Sequence, residues 1–111
     1  MRKVNKPWGH EVIWAETDNY VGKVLHIDAG HRLSLQYHEQ KEETVYVLKG
    51  TLIVWTGENE VVAVGEGKTW HNPPGRIHRF GAMEDGDVVL MEVSTPHLDD
   101  VIRLEDDYKR N

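Results

Sequence analysis

What most limits the fold of this chain is its rhythm: short apolar stretches rich in Val, Ile, Leu, Trp and Tyr, each closed by Gly, Pro or Asp. Strands are expected at 11–14, 21–27, 32–37, 44–48, 51–55, 61–64, 68–70, 78–81, 88–93 and 101–104. Between them stand Asp28-Ala29-Gly30, Lys49-Gly50, Gly57-Glu58-Asn59, Gly65-Glu66-Gly67, Pro73-Pro74-Gly75 and Glu84-Asp85-Gly86-Asp87. Such strings turn because Gly accepts positive φ, Pro presets φ, and Asn or Asp bonds its own backbone. No segment keeps a helical apolar period over three turns. Short strands at even spacing therefore predict an all-β sandwich or barrel. The 111 residues suffice for a single domain, 1–111.

Composition narrows the function classes. The chain is 39% apolar and 29% charged, as soluble globular proteins are. No apolar run approaches the roughly 20 residues that cross a bilayer, and the opening Met1-Arg2-Lys3-Val4 lacks the apolar core of a secretory signal. The absence of cysteine excludes disulfides and thiolate metal sites and fits the cytoplasm. A net charge of −6 argues against nucleic acid or an anionic membrane as partner. Acidic residues gather at 39–43 and 99–107 and read as solvated faces, with Glu43 alone set apart by its spacing. Seven histidines against a single Phe direct attention to metal binding.

In a strand over 32–37, alternation places Arg32, Ser34, Gln36 and the following His38 on one face, with Leu33, Leu35 and Tyr37 on the other. Two donors two residues apart on one face form a chelating pair; the same pattern also suits the exposed face of an edge strand.

Spacing extends the pattern. Gly30 is followed by five residues, Gln36, one residue, His38, four residues, Glu43, six residues and Gly50. Later, Gly67 is followed by five residues, Pro73-Pro74-Gly75, two residues and His78. These strings resemble the two motifs of the cupin superfamily, with Gln36 in place of the first His and Ala82 where the second motif often ends in Asn. The resemblance implies a single-domain jelly-roll barrel (a double-stranded β-helix) holding one divalent metal ion through Gln36, His38, Glu43 and His78. Such oxygen and nitrogen donors suit Mn, Fe, Co, Ni or Zn and leave positions open for substrate. Of the other histidines, His10, His31 and His97 are expected on loop surface, and His26 and His71 lining the barrel.

Pro7-Trp8-Gly9, the run from Gly30 to His38, and the run from Asp99 to Tyr108 resemble type II phosphomannose isomerases more narrowly. That family's own first ligand position is Gln. Glu39, Gln40 and Lys41 stand where it has further His and an Arg, and Thr44-Val45 where it has His-Trp. The resemblance implies interconversion of mannose 6-phosphate and fructose 6-phosphate, with a small-molecule sugar phosphate as partner and a metal polarising its oxygens. Lys41 and Arg32 are then the expected catalytic cations, and Lys23, Arg76 and Arg103 the phosphate-binding ones. For each cation, solvated surface is the competing reading. A homodimer is also implied, with Pro7-Trp8-Gly9 available to reach the partner and Trp8, Trp14 or Trp55 to mark the interface. The alternatives are a non-catalytic metal- or sugar-binding cupin, and a metal-dependent oxygenase or lyase of the same superfamily.

Overall fold

Eleven strands form among the described residues, and no helix: β1 (Arg2–Lys6), β2 (Gly9–Glu16), β3 (Val21–Ile27), β4 (Leu35–Tyr37), β5 (Glu43–Lys49), β6 (Leu52–Thr56), β7 (Val61–Val64), β8 (Thr69–Asn72), β9 (His78–Ala82), β10 (Val88–Ser94) and β11 (Ile102–Glu105). The structure, a computed structural model, describes residues 1–57 and 59–108; Glu58, within the expected turn Gly57-Glu58-Asn59, and residues 109–111 lie outside the described residues. One sheet runs β1-β2-β3-β10-β5-β8 and the other β11-β4-β9-β6-β7. The neighbours pair antiparallel throughout.

The two-residue period of a strand decides what lies between the sheets. Inward positions are apolar at one end of each long strand and polar at the other. On β10 the inward series is Val88, Leu90, Glu92, Ser94; on β3, Ile27, Leu25, Lys23; on β5, Val47, Val45, Glu43; on β9, Ala82, Phe80, His78, and all of these are buried. The interior is thus a packed half and a polar half. Trp8, Leu33, Leu52, Val54 and Val64 complete the packed half. Burying one Leu or Phe there contributes about 1.5–3 kcal/mol.

Two glycines are fixed by close approach. A Cβ on Gly9, whose φ is +150°, would lie 1.9 Å from the His26 carbonyl oxygen. That tight approach lets the Trp8 carbonyl accept the Asp28 N–H at 2.9 Å as its ring enters the core. A Cβ on Gly81 would meet the Trp55 ring at 2.7 Å, so Trp55 lies across the bare backbone of β9.

Several expectations change. β1 was not anticipated, because Arg2-Lys3-Val4-Asn5-Lys6 shows no apolar alternation; it is a charged edge strand on β2. The strand expected over 32–37 shortens to Leu35–Tyr37, and Arg32 makes only an isolated bridge to Gly81. Parity fails across that break: Leu33 enters the core while Arg32 turns outward onto Trp55, so Arg32 does not share a face with Gln36 and His38. Trp8 is 3% exposed and belongs to the core rather than to an outer surface.

Candidate metal centre

At the polar end, His38 follows β4, Glu43 opens β5 and His78 opens β9. Their ligand atoms lie within 4.8 Å of one another, and all three residues are buried. His38 Nε2 stands 3.3 Å from Glu43 Oε1, and His78 Nε2 stands 3.7 Å from Glu43 Oε2. Gln36 sits opposite His78 in the ladder, and its amide oxygen accepts the Ser34 hydroxyl at 2.6 Å.

The remaining ring nitrogens settle what these groups present. His38 Nδ1–H donates to the Asp100 carbonyl at 2.6 Å, and His78 Nδ1–H donates to the Arg76 carbonyl at 2.9 Å. With those protons placed, both Nε2 atoms carry lone pairs, and both are buried without a hydrogen-bond partner. Two bare lone pairs aimed at a carboxylate repel unless a cation lies among them. The donor set therefore fits a divalent ion of the Mn-to-Zn series held by His38, Glu43 and His78, with the Gln36 amide oxygen alongside. Burial lowers the His78 pKa despite the neighbouring carboxylate, which keeps its imidazole in the neutral, ligating form.

Outer contacts hold the ligands still. Asn72 Nδ2 donates to Glu43 Oε2 at 3.1 Å, while its Oδ1 accepts Trp70 Nε1–H at 2.8 Å. The Asp100 carboxylate takes the N–H groups of Glu39, Gln40 and Lys41 at 3.0, 2.7 and 2.9 Å, fixing the loop between His38 and Glu43. Asp100 therefore leaves the solvated acidic face on which its sequence run placed it.

Lys41 is 5% exposed, with Nζ 3.1 Å from Glu43 Oε1 and 3.2 Å from Glu92 Oε2. Burial alone would lower its pKa, but the two carboxylates outweigh burial and raise it. Burial likewise opposes ionisation of Glu43, yet its neighbours, the Lys41 ammonium among them, hold it below the usual carboxylate range. Glu92 moves upward, through burial first and then repulsion from Glu43. Lys23 continues the alternation, 3.9 Å from Glu92 and 3.2 Å from Glu11, and Lys6 stands 4.0 Å from Glu11.

A cavity of about 90 Å³ opens beside His38, walled by Lys6, Glu11, Lys23, Gln36, Lys41 and Arg103 together with apolar residues that include Leu98 and Val101. Lys23, Lys41 and Arg103 thus come together with the His-Glu cluster. Arg32 and Arg76 do not join that wall. Arg32 donates to Asp107 at 2.7 and 3.2 Å and lies 5.4 Å from the Trp55 ring centre. Arg76 lies 5.5 Å over Trp70 and donates to the His71 carbonyl at 3.1 Å. His26 and His71 project outward, bonded to Asp87 and Glu42, and do not line the barrel. His10 belongs to β2 rather than to a loop.

Glu11, Asn72, Glu92 and Arg79 were not singled out from the sequence. Only strand parity could have flagged the first three, since each shares its strand's inward face with a core residue or ligand. Arg79 is an outward residue buried by the chain's end, donating to the Leu33 carbonyl at 2.8 Å and the Glu105 carbonyl at 3.1 Å.

Comparison with known proteins gives the same picture. A xanthan biosynthesis protein, XanB, of Xanthomonas campestris pv. campestris is 33% identical over 98% of this chain and 24% of its own length. The mannose-1-phosphate guanylyltransferase ManC of Salmonella typhimurium is 34% identical over 98% of this chain and 23% of its own. The chain thus spans about a quarter of the length of these relatives. Among solved structures, a cupin-like protein from Thermotoga maritima superimposes with a TM-score of 0.77 at 20% identity, over 90% of this chain and 78% of that one. KdgF from Halomonas sp. gives 0.76 at 22% identity, over 86% of each chain. The cupin domain family matches residues 23–94, and with two facing antiparallel sheets around a buried His-Glu-His cluster, the chain belongs to that family.

Proposed function

We propose that this chain is a metal-dependent sugar-phosphate isomerase that interconverts mannose 6-phosphate and fructose 6-phosphate. The observation that carries the reading is the cavity in which Gln36 and His38 share one lining with Lys6, Lys23, Lys41 and Arg103. Relatives named for mannose 1-phosphate support the substrate class. A bound divalent ion supplies Lewis-acid polarisation of the sugar oxygens. The chain's own residues do the rest. The cations attract and orient the phosphate, and Lys41 balances the charge of Glu43 and Glu92.

The cavity holds about three waters at roughly 30 Å³ each. One second reading, a sugar-binding module without turnover, is favoured by Glu39, Gln40 and Lys41 standing where the resembled isomerases have further His and an Arg. We also propose that the partner is a second copy, seated on the outer face of the larger sheet where Trp14, Tyr46, Leu48 and Val93 are exposed. A dimer in sedimentation that dissociates on Trp14→Glu is expected; a monomeric wild type overturns that placement.

The deciding experiment is a coupled assay with mannose 6-phosphate on protein loaded in turn with Mn, Fe, Co, Ni and Zn, with metal content measured in parallel. Turnover that is lost in His38→Ala along with the metal is the expected result. Folded, metal-loaded protein without turnover on any ion sinks the isomerase reading, and calorimetric binding of the sugar phosphate by that protein establishes the second. A full metal equivalent retained by His38→Ala refutes the ligand assignment.

A further inference from the structure

A second group of ligating side chains lies on the outside of the barrel, on the opposite face of β3 from Lys23 and Leu25. His10 and His26 are direct partners in the β2–β3 ladder, and their rings stack with centres 5.0 Å apart and planes 20° apart. His26 Nε2 lies 2.8 Å from Asp87 Oδ2 and 4.0 Å from Asp28 Oδ1. The ligand atoms of His26, Asp28 and Asp87 fall within 4.8 Å of one another. These residues come from β2, β3, the turn after β3 and the residue before β10, so no local sequence motif assembles them.

We infer that His26, Asp28 and Asp87 form a second, outward-facing site for a borderline divalent transition ion such as zinc, nickel or cobalt, with the His10 ring stacked against His26. Imidazole with carboxylate selects that class over magnesium or calcium, which prefer all-oxygen shells. The strand pairing stacks the His10 ring on His26 and so fixes the orientation of the ligating imidazole. Asp87 is already oriented: its Oδ1 accepts the Ala29 N–H at 2.8 Å, leaving Oδ2 directed at His26. The His26 Nε2 proton now donated to Asp87 moves to Nδ1 when Nε2 binds the ion. Bound there, the ion ties the end of β3 to the two adjoining turns, away from the interior cluster.

The test uses the full chain, stripped with a chelator and dialysed against zinc, with bound metal counted by elemental analysis. Wild type is expected to bind one equivalent more than His26→Ala, and His38→Ala to retain the outer ion. Nickel added to wild type is expected to broaden the His10 and His26 imidazole NMR signals, a reading that needs no variant to fold. Equal zinc content in wild type and His26→Ala, or unbroadened His10 and His26 signals, overturns the site. Loss of the His38-dependent equivalent alone bears on the interior reading and leaves this one standing.

Discussion

Replacing Lys41 with Met strips the cation from between two buried carboxylates. The distances of 3.1 Å to Glu43 and 3.2 Å to Glu92 set the scale. At an effective dielectric of about 20, each pair is worth about 5 kcal/mol gross, hence about 10 kcal/mol together. Desolvation of three buried ions consumes most of that, but Met restores none of it to the carboxylates it leaves behind. Breaking a buried pair in this way costs about 3–5 kcal/mol. In a domain near this size, 3 kcal/mol corresponds to a melting point lower by about 12–24 °C. The assay is urea unfolding of chelator-stripped wild type, Lys41→Met, Glu92→Gln and the double variant, because a bound ion would itself offset the charge of Glu43. Lys41→Met is expected to lose at least about 3 kcal/mol, and the double variant to recover about half of it, since one orphaned charge has gone. A single variant within about 1 kcal/mol of wild type, or a double variant no more stable than Lys41→Met, would refute the argument that Lys41 neutralises this pair.

Three further outcomes follow from the same contacts. Asn72→Ala frees Glu43 from its positioning hydrogen bond and is expected to weaken metal binding about 10- to 100-fold, measured by competition with a chromophoric chelator, with the fold intact by circular dichroism. Asp107 has its pKa lowered chiefly by the Arg32 hydrogen bond against a small opposing effect of burial, from an ordinary value of 3.8. Because the folded value is the lower one, its stabilisation is complete above the ordinary value and is lost as pH falls through the depressed one; the urea-midpoint gap between wild type and Asp107→Asn should be flat near neutrality and close below that value. Leu90→Ala, at a fully buried site on the packed half, is expected to cost about 2–5 kcal/mol in urea unfolding while leaving metal stoichiometry unchanged.

Much of the strand inventory was open to reading because it depends on local chemistry. A run such as Val88 to Val93 is almost continuously apolar and follows a Gly-Asp turn, and nothing distant is needed to see it. The same locality explains the failure at β1, whose residues carry no alternation and form a strand only because β2 offers an edge. It also explains Arg32, whose face was assigned by extending strand parity through residues that do not continue the strand.

Among the acids, locality ran out. Glu43, Glu92, Asp100 and Asp107 are chemically alike, and all but Glu92 sit in acidic runs, yet one faces two imidazoles, one pairs with a buried lysine, one caps a loop and one holds Arg32. Asp100 reaches back 60 residues to the Gln40 N–H, and Asp107 reaches back 75 to Arg32.

By itself the sequence determined that the chain would be strands and turns, and the spacing that carries His38, Glu43 and His78 toward one end of them. Only the tertiary structure decided which charges are buried, which are paired, and which histidines face inward or outward. The physical reason is that side-chain period and turn chemistry are properties of neighbouring residues. Burial and ion pairing depend on which distant strand arrives opposite, and that is settled only when the two sheets close.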